Sequence, residues 1–413
     1  MEVIRDIKKI VLQIFGIENM FGFETTLANQ LYLFYCMSGN MYYTDKIHRK
    51  TKFVWFCSIY SVFIQIAFSI LSYLIYGRQT GDLLLLVYTG FMSMLAVIAL
   101  LVKPAIMFAY RNEIERMILM ADLMQKKKKS QSKGEFDAKQ ILMTGLTAYF
   151  IPIIPYFLIT ALDIVLFYEG EKIYNYVYYL VPLSGLEHYG SPELYSFVTI
   201  VSVGQGISCE LVFIGEFLLP LPWIVVCHNE AQRIIDELNS LGTDVDINID
   251  NYESMEPKFK NVLEKCIQDI NDLRRLISIF RGYVEATAGI TLPVLLYVEV
   301  AHALVFMSPD TPFIVKVREL SVFIATIQDV FILCWMGATL EKMTSDLSFA
   351  VYSTPWYWFK GIRKDVYILL CETQAPLIPV ALSVYPLTLA TFLRFCNVIN
   401  SSVNVVRAYT QKS

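Results

Sequence analysis

Long apolar runs with few or no charged residues recur along the chain and are separated by polar, charged connections. A helix needs about 20 apolar residues to cross the hydrocarbon core of a bilayer. Runs of sufficient length lie at residues 53–77, 83–102, 140–162 (extended to 167), 194–229, 281–307 and 312–340. A seventh is expected at 386–407. The pattern predicts an all-α polytopic membrane protein with seven transmembrane helices.

Prolines set the predicted start of the seventh helix. Residues 375–393 are uncharged, but Pro376, Pro379 and Pro386 interrupt them. A proline inside a helix removes a backbone hydrogen bond, whereas the first turn accommodates it well. We therefore expect the last helix to begin at Pro386 and to end near Arg407.

Lys and Arg are concentrated in the segment before the first span and in the connections after the second, fourth and sixth spans. Cytoplasmic connections carry an excess of these residues. The four segments share one side of the membrane if the N-terminus is cytoplasmic, which predicts an extracellular C-terminus. This orientation is the reverse of that of G-protein-coupled receptors and argues against that class.

Amphipathic helices are predicted outside the bilayer. The connection 103–139 has a helical spacing of apolar residues, and the fourth connection has a loop at 241–255 between two helical patterns. Its apolar stripes consist of Ile234, Leu238, Phe259, Leu263, Ile267, Ile270, Leu273 and Ile277. An apolar stripe needs a partner surface, so the fourth and fifth spans should continue into the cytoplasm and pack there. Packing within one subunit and an oligomer interface are both open.

Composition agrees with a membrane protein. Only 17% of the 413 residues are charged and 55% are hydrophobic, against about 25% charged in soluble domains. The net charge of −4 argues against a nucleic-acid binder, which would show a basic excess. Nucleotide-binding, nucleophile-elbow and zinc-protease motifs are absent, and the Cys and His residues form no ligand pattern. We expect neither catalysis nor a cofactor.

Acidic residues inside the predicted spans require partners, because an ionised group there costs about 2.5–3.5 kcal/mol. They are Asp163, Glu210, Glu216, Glu285, Glu299 and Asp329. A proton relay, as in a secondary transporter, is one interpretation. No complementary series of basic residues accompanies them, so hydrogen bonds between helices are the favoured interpretation.

The predicted final helix carries an unusual number of polar residues. Asn397, Ser401, Val405 and Tyr409 are spaced four apart and so share one helical stripe. Such a stripe can line water, and an apolar ring at Val405 could close the path by dewetting. The alternative is hydrogen bonding between helices. A single helix cannot enclose a pore, so the pore hypothesis requires an oligomer.

Two segments resemble the insect odorant receptor family. CWMGATLEKMTSDLSFAVYSTPWYW (334–358) is similar to the family's Cys-Trp…Gly…Leu…Ser…Leu…Ala-Tyr…Trp pattern, and the closing segment is similar to its Pro-Leu…Thr-Phe…Leu-Arg ending. The second match involves Pro386, Leu387, Thr391, Phe392 and Arg407. Residues 400–403 depart from the pattern, since many members have an aromatic residue there.

The resemblance implies a subunit of a tetrameric, ligand-gated, non-selective cation channel. Members assemble with a shared co-receptor, which has a longer fourth connection, so this chain would be the odour-tuning subunit in the plasma membrane of olfactory neuron dendrites. The expected ligands are small, hydrophobic volatiles. The implied gate lies near Val405, with Tyr409 one turn further out.

The same resemblance implies an odorant pocket in the outer half of the bilayer. Its expected contact residues are Tyr88, Phe91, Met92, Tyr156, Phe157, Thr160, Ser202, Gly206, Tyr297 and Ile324. The chain would divide into a cytoplasmic N-terminal segment (1–52), spans one to six with the pocket (53–340), a cytoplasmic anchor segment (341–385), and the pore-lining helix with a short tail (386–413). A G-protein-coupled receptor and a secondary transporter are the alternative functions.

Overall fold

The computed structural model describes residues 102–127, 220–243, 252–307, 313–375 and 377–410, together with the single positions 151, 154 and 158. In this part of the chain the helices are α1 (Lys103–Ala109), α2 (Arg111–Lys127), α3 (Pro220–Thr243), α4 (Tyr252–Met307), α5 (Phe313–Ser353), α6 (Arg363–Thr373) and α7 (Leu389–Thr410). Short 3-10 turns at Trp356–Trp358 and Lys360–Ile362 connect α5 to α6. The described structure is therefore mostly helical.

Among the described residues, two helices are long and apolar enough to cross a membrane, judged by length and composition. The qualifying segments are Phe259–Leu304 of α4 and Glu319–Ser353 of α5, whose most apolar 18-residue windows have mean hydropathies of 1.5 and 1.8. They cover most of the predicted fifth and sixth spans. The first four predicted spans lie wholly or mostly outside the described residues, whereas the seventh lies within them.

The predicted continuation of the spans into packed helices is confirmed. Helix α4 runs without a break from the apolar stripe of the fourth connection into the predicted fifth span. The stripe residues Ile234, Leu238, Phe259, Leu263, Ile270, Leu273 and Ile277 are buried in one hydrophobic cluster. We call this part of the molecule, formed by α2, α3, the first half of α4, the end of α5 and α6, the basal bundle.

Aromatic rings fill the upper part of the basal bundle. The ring centroid of Trp223 on α3 lies 4.3 Å from that of Phe280 on α4, and Phe280 lies 5.2 Å from Tyr283. Tyr110, between α1 and α2, meets the edge of Tyr283 at 6.3 Å. Such ring pairs add about 0.5–1.5 kcal/mol each beyond their area burial, so they hold the start of the predicted fifth span against α1 and α3.

The predicted start of the last helix at Pro386 is wrong. Pro386 lies in a two-stranded antiparallel hairpin, β1 (Val380–Ala381) and β2 (Tyr385–Pro386), where it is opposite Val380. Proline is tolerated there because an edge strand does not need its N–H. Helix α7 begins three residues later, and its cap is Thr388, whose Oγ1 accepts a hydrogen bond from the N–H of Thr391 at 3.3 Å.

Candidate functional site

Within the described residues, helix α7 packs against other helices on one half of its circumference. Ile399 and Val403 are buried on the side facing α4 and α5, whereas Asn397, Ser401 and Val405 are exposed. Val405 is 56% exposed. The predicted stripe therefore shares one face, as its spacing required; Tyr409 lies within α7, but its side chain is outside the described residues.

The exposed half of α7 carries many polar residues, which is unusual for a helix in an apolar protein. They are Arg394, Asn397, Asn400, Ser401 and Asn404, mixed with Leu389, Leu393, Val398 and Val405. The side-chain amide of Asn404 donates to Oδ1 of Asn400 at 3.4 Å. Polar residues within membrane helices face the bundle interior or a water-filled cavity rather than lipid. We therefore expect this face to contact either water or another protein surface.

The hairpin before α7 is fastened to α4. Glu285 Oε1 accepts a hydrogen bond from the N–H of Val380 at 2.9 Å and one from Nε of Arg281 at 2.6 Å. One turn further along α4, Gly289 makes room for Leu382 at the hairpin tip. Glu285 was expected to need a partner inside its span, and these contacts supply two.

The hairpin tip is strained. Leu382 and Ser383 have φ angles of 53° and 58°, and the N–H of Val384 donates to the carbonyl oxygen of Ala381 at 3.1 Å. Positive φ at both central residues is the geometry of a type I′ turn, which favours Asn and Gly. The chain holds two unsuited residues there, directly before α7.

Replacing Ser383 with glycine should stabilise the protein by about 1 kcal/mol, since the left-handed conformation costs other residues about 1–2 kcal/mol. Ser383→Ala keeps that cost and is the matched control. Thermal unfolding of the purified protein measures the difference. An equal rise in Tm for both variants would show that the backbone conformation is not the source of the effect.

The start of α7 is also pressed against α5. A Cβ atom added to Gly337 would lie 2.8 Å from the carbonyl carbon and 3.1 Å from Cβ of Leu387, and closer still to the carbonyl oxygen. Real Cβ atoms do not approach backbone so closely, so only glycine fits. Farther from the basal bundle along the same interface, the rings of Phe331 and Phe392 meet edge to face, with their centroids 5.4 Å apart. Helix α7 is thus held by α4 on one side and by α5 on the other.

Buried polar contacts join α4 and α5 behind α7. Nδ1 of His302 lies 2.6 Å from Oε2 of Glu319, and both side chains are almost completely buried. The hydroxyl of Thr326 donates to Oε1 of Glu299. Asp329 is also buried. Contacts of this kind agree with the expectation that hydrogen bonds between helices accommodate the intramembrane acids.

The pair His302–Glu319 was missed by the sequence analysis, although a signal was available. His302 lies five residues before the end of α4, and Glu319 lies six residues after the start of α5. Two antiparallel helices joined by a short connection bring such positions to the same level. The depth of Glu319 in its helix therefore indicated a partner on α4.

Two predicted odorant-contact residues lie in the described structure. Tyr297 on α4 is 42% exposed and Ile324 on α5 is 41% exposed, so neither is enclosed by the described helices. The other eight, Tyr88, Phe91, Met92, Tyr156, Phe157, Thr160, Ser202 and Gly206, lie outside the described residues. The predicted pocket stays a prediction.

The described residues include no cluster of three or more His, Cys, Asp or Glu that could hold a metal ion. Of the described cysteines, Cys227, Cys266 and Cys334 are buried, Cys396 is half-buried and Cys371 is exposed, all as free thiols. Buried thiols of this kind behave as small hydrophobic residues.

Long apolar helices, buried polar contacts between them and a polar helix face define a polytopic helical membrane protein. The chain belongs to the 7tm odorant receptor family, whose model matches residues 84–399. It is an odorant receptor by this membership, and the family is one of receptors rather than enzymes. No curated protein matches the sequence.

Solved structures of insect olfactory receptors share the fold. The chain is 10% identical to the olfactory receptor OR5 from Machilis hrabei, with a TM-score of 0.64 over 91% of this chain and 96% of that one. The same receptor in complex with eugenol gives a TM-score of 0.61 at 10% identity, over 92% of this chain and 97% of that one. The likeness extends through nearly the whole length of both chains.

Proposed function

We propose that this odorant receptor is the odour-tuning subunit of a ligand-gated, non-selective cation channel. It has seven spans, a cytoplasmic N-terminus and an extracellular C-terminus, and it assembles as a heterotetramer with a shared co-receptor in the plasma membrane of olfactory neuron dendrites. The observation that carries the proposal is the exposed, polar half of α7. Four such faces around one axis line a water-filled path, and no single copy can enclose one.

Arg394 puts a positive charge on this face near the start of α7, but from Asn397 onward the chemistry of the face suits cation passage. Asn397, Asn400, Ser401 and Asn404 offer neutral amide and hydroxyl oxygens, which solvate cations without binding one tightly. Val405 lies on the same face and is 56% exposed. An apolar constriction at this level, to which each copy of this chain contributes Val405, closes the path by excluding water, and a small outward movement of α7 reopens it.

Ligand binding reaches α7 through α4 and α5. The odorant binds in the outer half of the membrane among spans two to six, in contact with Tyr297 and Ile324 and with the predicted residues on the earlier spans. It shifts the equilibrium because it binds the open arrangement better than the closed one. Since Glu285 and Gly337 fasten the start of α7 to both helices, a shift of either helix moves the pore face.

Placing a lysine at the gate tests this arrangement. Val405→Lys puts one positive charge into the path for each copy of this chain, and it should abolish or severely reduce odorant-evoked cation current in cells that also express the co-receptor. Leu119→Lys, at an exposed site on α2, is the control and should leave the current unchanged. If Val405→Lys leaves both current and ligand response untouched, Val405 is not part of the gate.

Assembly is supported by an exposed apolar surface at the basal bundle. Phe349, Tyr352, Tyr367 and Ile368 are exposed on the end of α5 and on α6, with Phe349 at 71%. Beside Phe349 and Tyr352 lies a groove of about 450 Å³. Aromatic residues that are exposed together in this way mark a protein interface. We assign this surface to contacts between subunits.

Phe349→Lys should therefore reduce the tetramer fraction, because it places an unpaired charge in that contact. A loss of at least about tenfold in assembly corresponds to about 1.4 kcal/mol, which is within reach of one buried charge. Asn271→Lys introduces the same charge at an exposed polar site on α4 and is the control. Size-exclusion chromatography of the co-expressed subunits measures the outcome. Normal assembly of Phe349→Lys would remove this surface from the interface.

A further inference from the structure

A cavity of about 300 Å³ lies between α4, α5 and α7, behind the polar face of the last helix. Apolar side chains form most of its wall, among them Phe306, Leu320, Phe323 and Ile327, while His302, Glu319 and Asn400 form its polar part. Pockets of this volume with apolar walls and a few convergent polar groups are typical small-molecule sites. Tyr297 and Ile324 are not in its lining, so it is distinct from the predicted odorant pocket.

We propose that this cavity is a second ligand site, which takes a small, uncharged molecule with a hydroxyl group at one end and an apolar body. The hydroxyl hydrogen-bonds with the His302–Glu319 pair, and the body lies among the apolar side chains. A volume of about 300 Å³ equals that of roughly ten water molecules in the liquid. That space suits a medium-chain alcohol or a phenol.

The polar pair selects this class of ligand. Nδ1 of His302 is 2.6 Å from Oε2 of Glu319, with exposures of 0% and 1% for the two side chains. A hydroxyl both donates and accepts, so it can join this pair in either direction of hydrogen bonding. A fully apolar molecule gains no hydrogen bond from this pair, and one net hydrogen bond contributes about 0.5–1.5 kcal/mol, which is up to roughly tenfold in affinity.

The cavity lies where a ligand would act directly on α7. Cys396, Ile399, Asn400 and Val403 of α7 line it, and Ile399 and Val403 are on the face opposite the exposed stripe. An occupant therefore fills space between the pore helix and the two helices that hold it. It would modulate the channel from behind the pore, independently of the odorant pocket.

Protection of Cys396 from alkylation tests the site without any current measurement. The purified full-length protein is treated with N-ethylmaleimide, and modification of Cys396 is followed by mass spectrometry. At a 1-octanol concentration ten times the dissociation constant, mass action leaves about one site in eleven empty, so modification should slow about tenfold. The rate at Cys371, an exposed residue outside the cavity, should not change and reports any general effect of the alcohol.

Three comparisons decide the outcome. Octane, if it binds about tenfold more weakly, should slow modification only about twofold at the same free concentration; equal protection would indicate a site for a lipid acyl chain and overturn the proposal. Ala303→Phe and Leu320→Trp each fill the cavity and should abolish protection, whereas Ala105→Phe at an exposed site on α1 should preserve it. Glu319→Gln should remove the preference for octanol over octane. Unchanged protection in both filled variants would contradict the assignment.

The inference and the proposed function fail separately. Cys396 protection reports occupancy of the cavity whether or not the protein conducts ions. If 1-octanol protects Cys396 but the assembled protein carries no current, the site stands and the channel proposal falls. If odorant-evoked current is normal but 1-octanol gives no protection, the channel proposal stands and the second site falls.

Discussion

Gly337→Ala is expected to abolish odorant-evoked current, or to lower it at least about tenfold. The added Cβ would lie 2.8 Å from the carbonyl carbon of Leu387 and closer still to its oxygen. These are backbone atoms at the entry to α7, so no flexible side chain can move aside. Overpacking of this kind costs about 1–3 kcal/mol, occasionally more, and each 1.4 kcal/mol is a factor of ten in a conformational equilibrium.

Gly289→Ala is the matched control, because Gly289 also lies on a long helix and also faces the segment before α7. Its added Cβ would meet Leu382 at 3.5–3.8 Å, which is ordinary van der Waals contact. Alanine is also the better helix former by about 0.8–1 kcal/mol, so this variant should be as stable as the parent or more so. Patch-clamp recording and surface labelling of both variants make the comparison. Normal current in Gly337→Ala would show that α5 does not position α7.

Arg233→Ala is expected to cause the largest loss of stability in the basal bundle, about 2–3 kcal/mol, below the 3–5 kcal/mol of a fully buried broken pair. Arg233 on α3 forks onto both oxygens of Glu230 at 2.7 and 3.2 Å and also reaches Glu237 at 3.0 Å. It bridges to Asp269 on α4 at 2.5 Å. Its removal leaves three carboxylates close together.

The environment of Arg233 favours its charged form. The hydrogen bond that Arg233 donates to Glu230 raises the pKa of Arg233, although burial opposes the shift. The guanidinium is therefore charged throughout the pH range in which the protein would be measured, and the effect of the substitution should not depend on neutralising it. Arg233→Lys keeps the charge but cannot form the planar fork, so it should recover only part of the stability.

Lys260→Ala provides the contrast to Arg233→Ala. Lys260 lies 3.9 Å from Glu264 on the same helix, and both side chains are more than half exposed. An exposed pair of this kind contributes about 0.3–0.5 kcal/mol. Thermal unfolding followed by tryptophan fluorescence should give a clear drop in Tm for Arg233→Ala and almost none for Lys260→Ala. Equal drops in Tm would mean that the Arg233 network between α3 and α4 contributes no more stability than an exposed ion pair.

The helical spacing of residues in the sequence correctly predicted the buried stripe of α4 and the shared face of α7. The stripe from Phe259 to Ile277 needed a partner surface, and α3 provides it through Ile234 and Leu238. The spacing of Asn397, Ser401 and Val405 placed them on one face of α7, as the structure does. These features follow from helix geometry and do not require knowledge of how the helices are arranged.

The predictions that were wrong or missing concern features that depend on contacts between distant parts of the chain. Pro386 was compatible with a helix start, but the pairing of its strand with Val380 and the contact of Glu285 with the same strand are tertiary. The tight fit at Gly337 leaves no trace in the local pattern, since a glycine inside an apolar helix has several possible reasons. The position of His302 opposite Glu319 could have been found, because both lie at the same depth of a helical hairpin.

The central claim is that the exposed face of α7 lines an ion path that opens to the outside, and cysteine accessibility tests it most directly. In a Cys396→Ser background, single cysteines at Ser401 and Val405 on the exposed face are compared with cysteines at Ile399 and Val403 on the buried face. A membrane-impermeant cationic methanethiosulfonate is applied to the outside of cells that express the assembled receptor while odorant holds the channel open. Our account predicts rapid, irreversible block for Ser401→Cys and Val405→Cys and little or none for Ile399→Cys and Val403→Cys. Equal rates on the two faces, or no block at Ser401 and Val405, would contradict it.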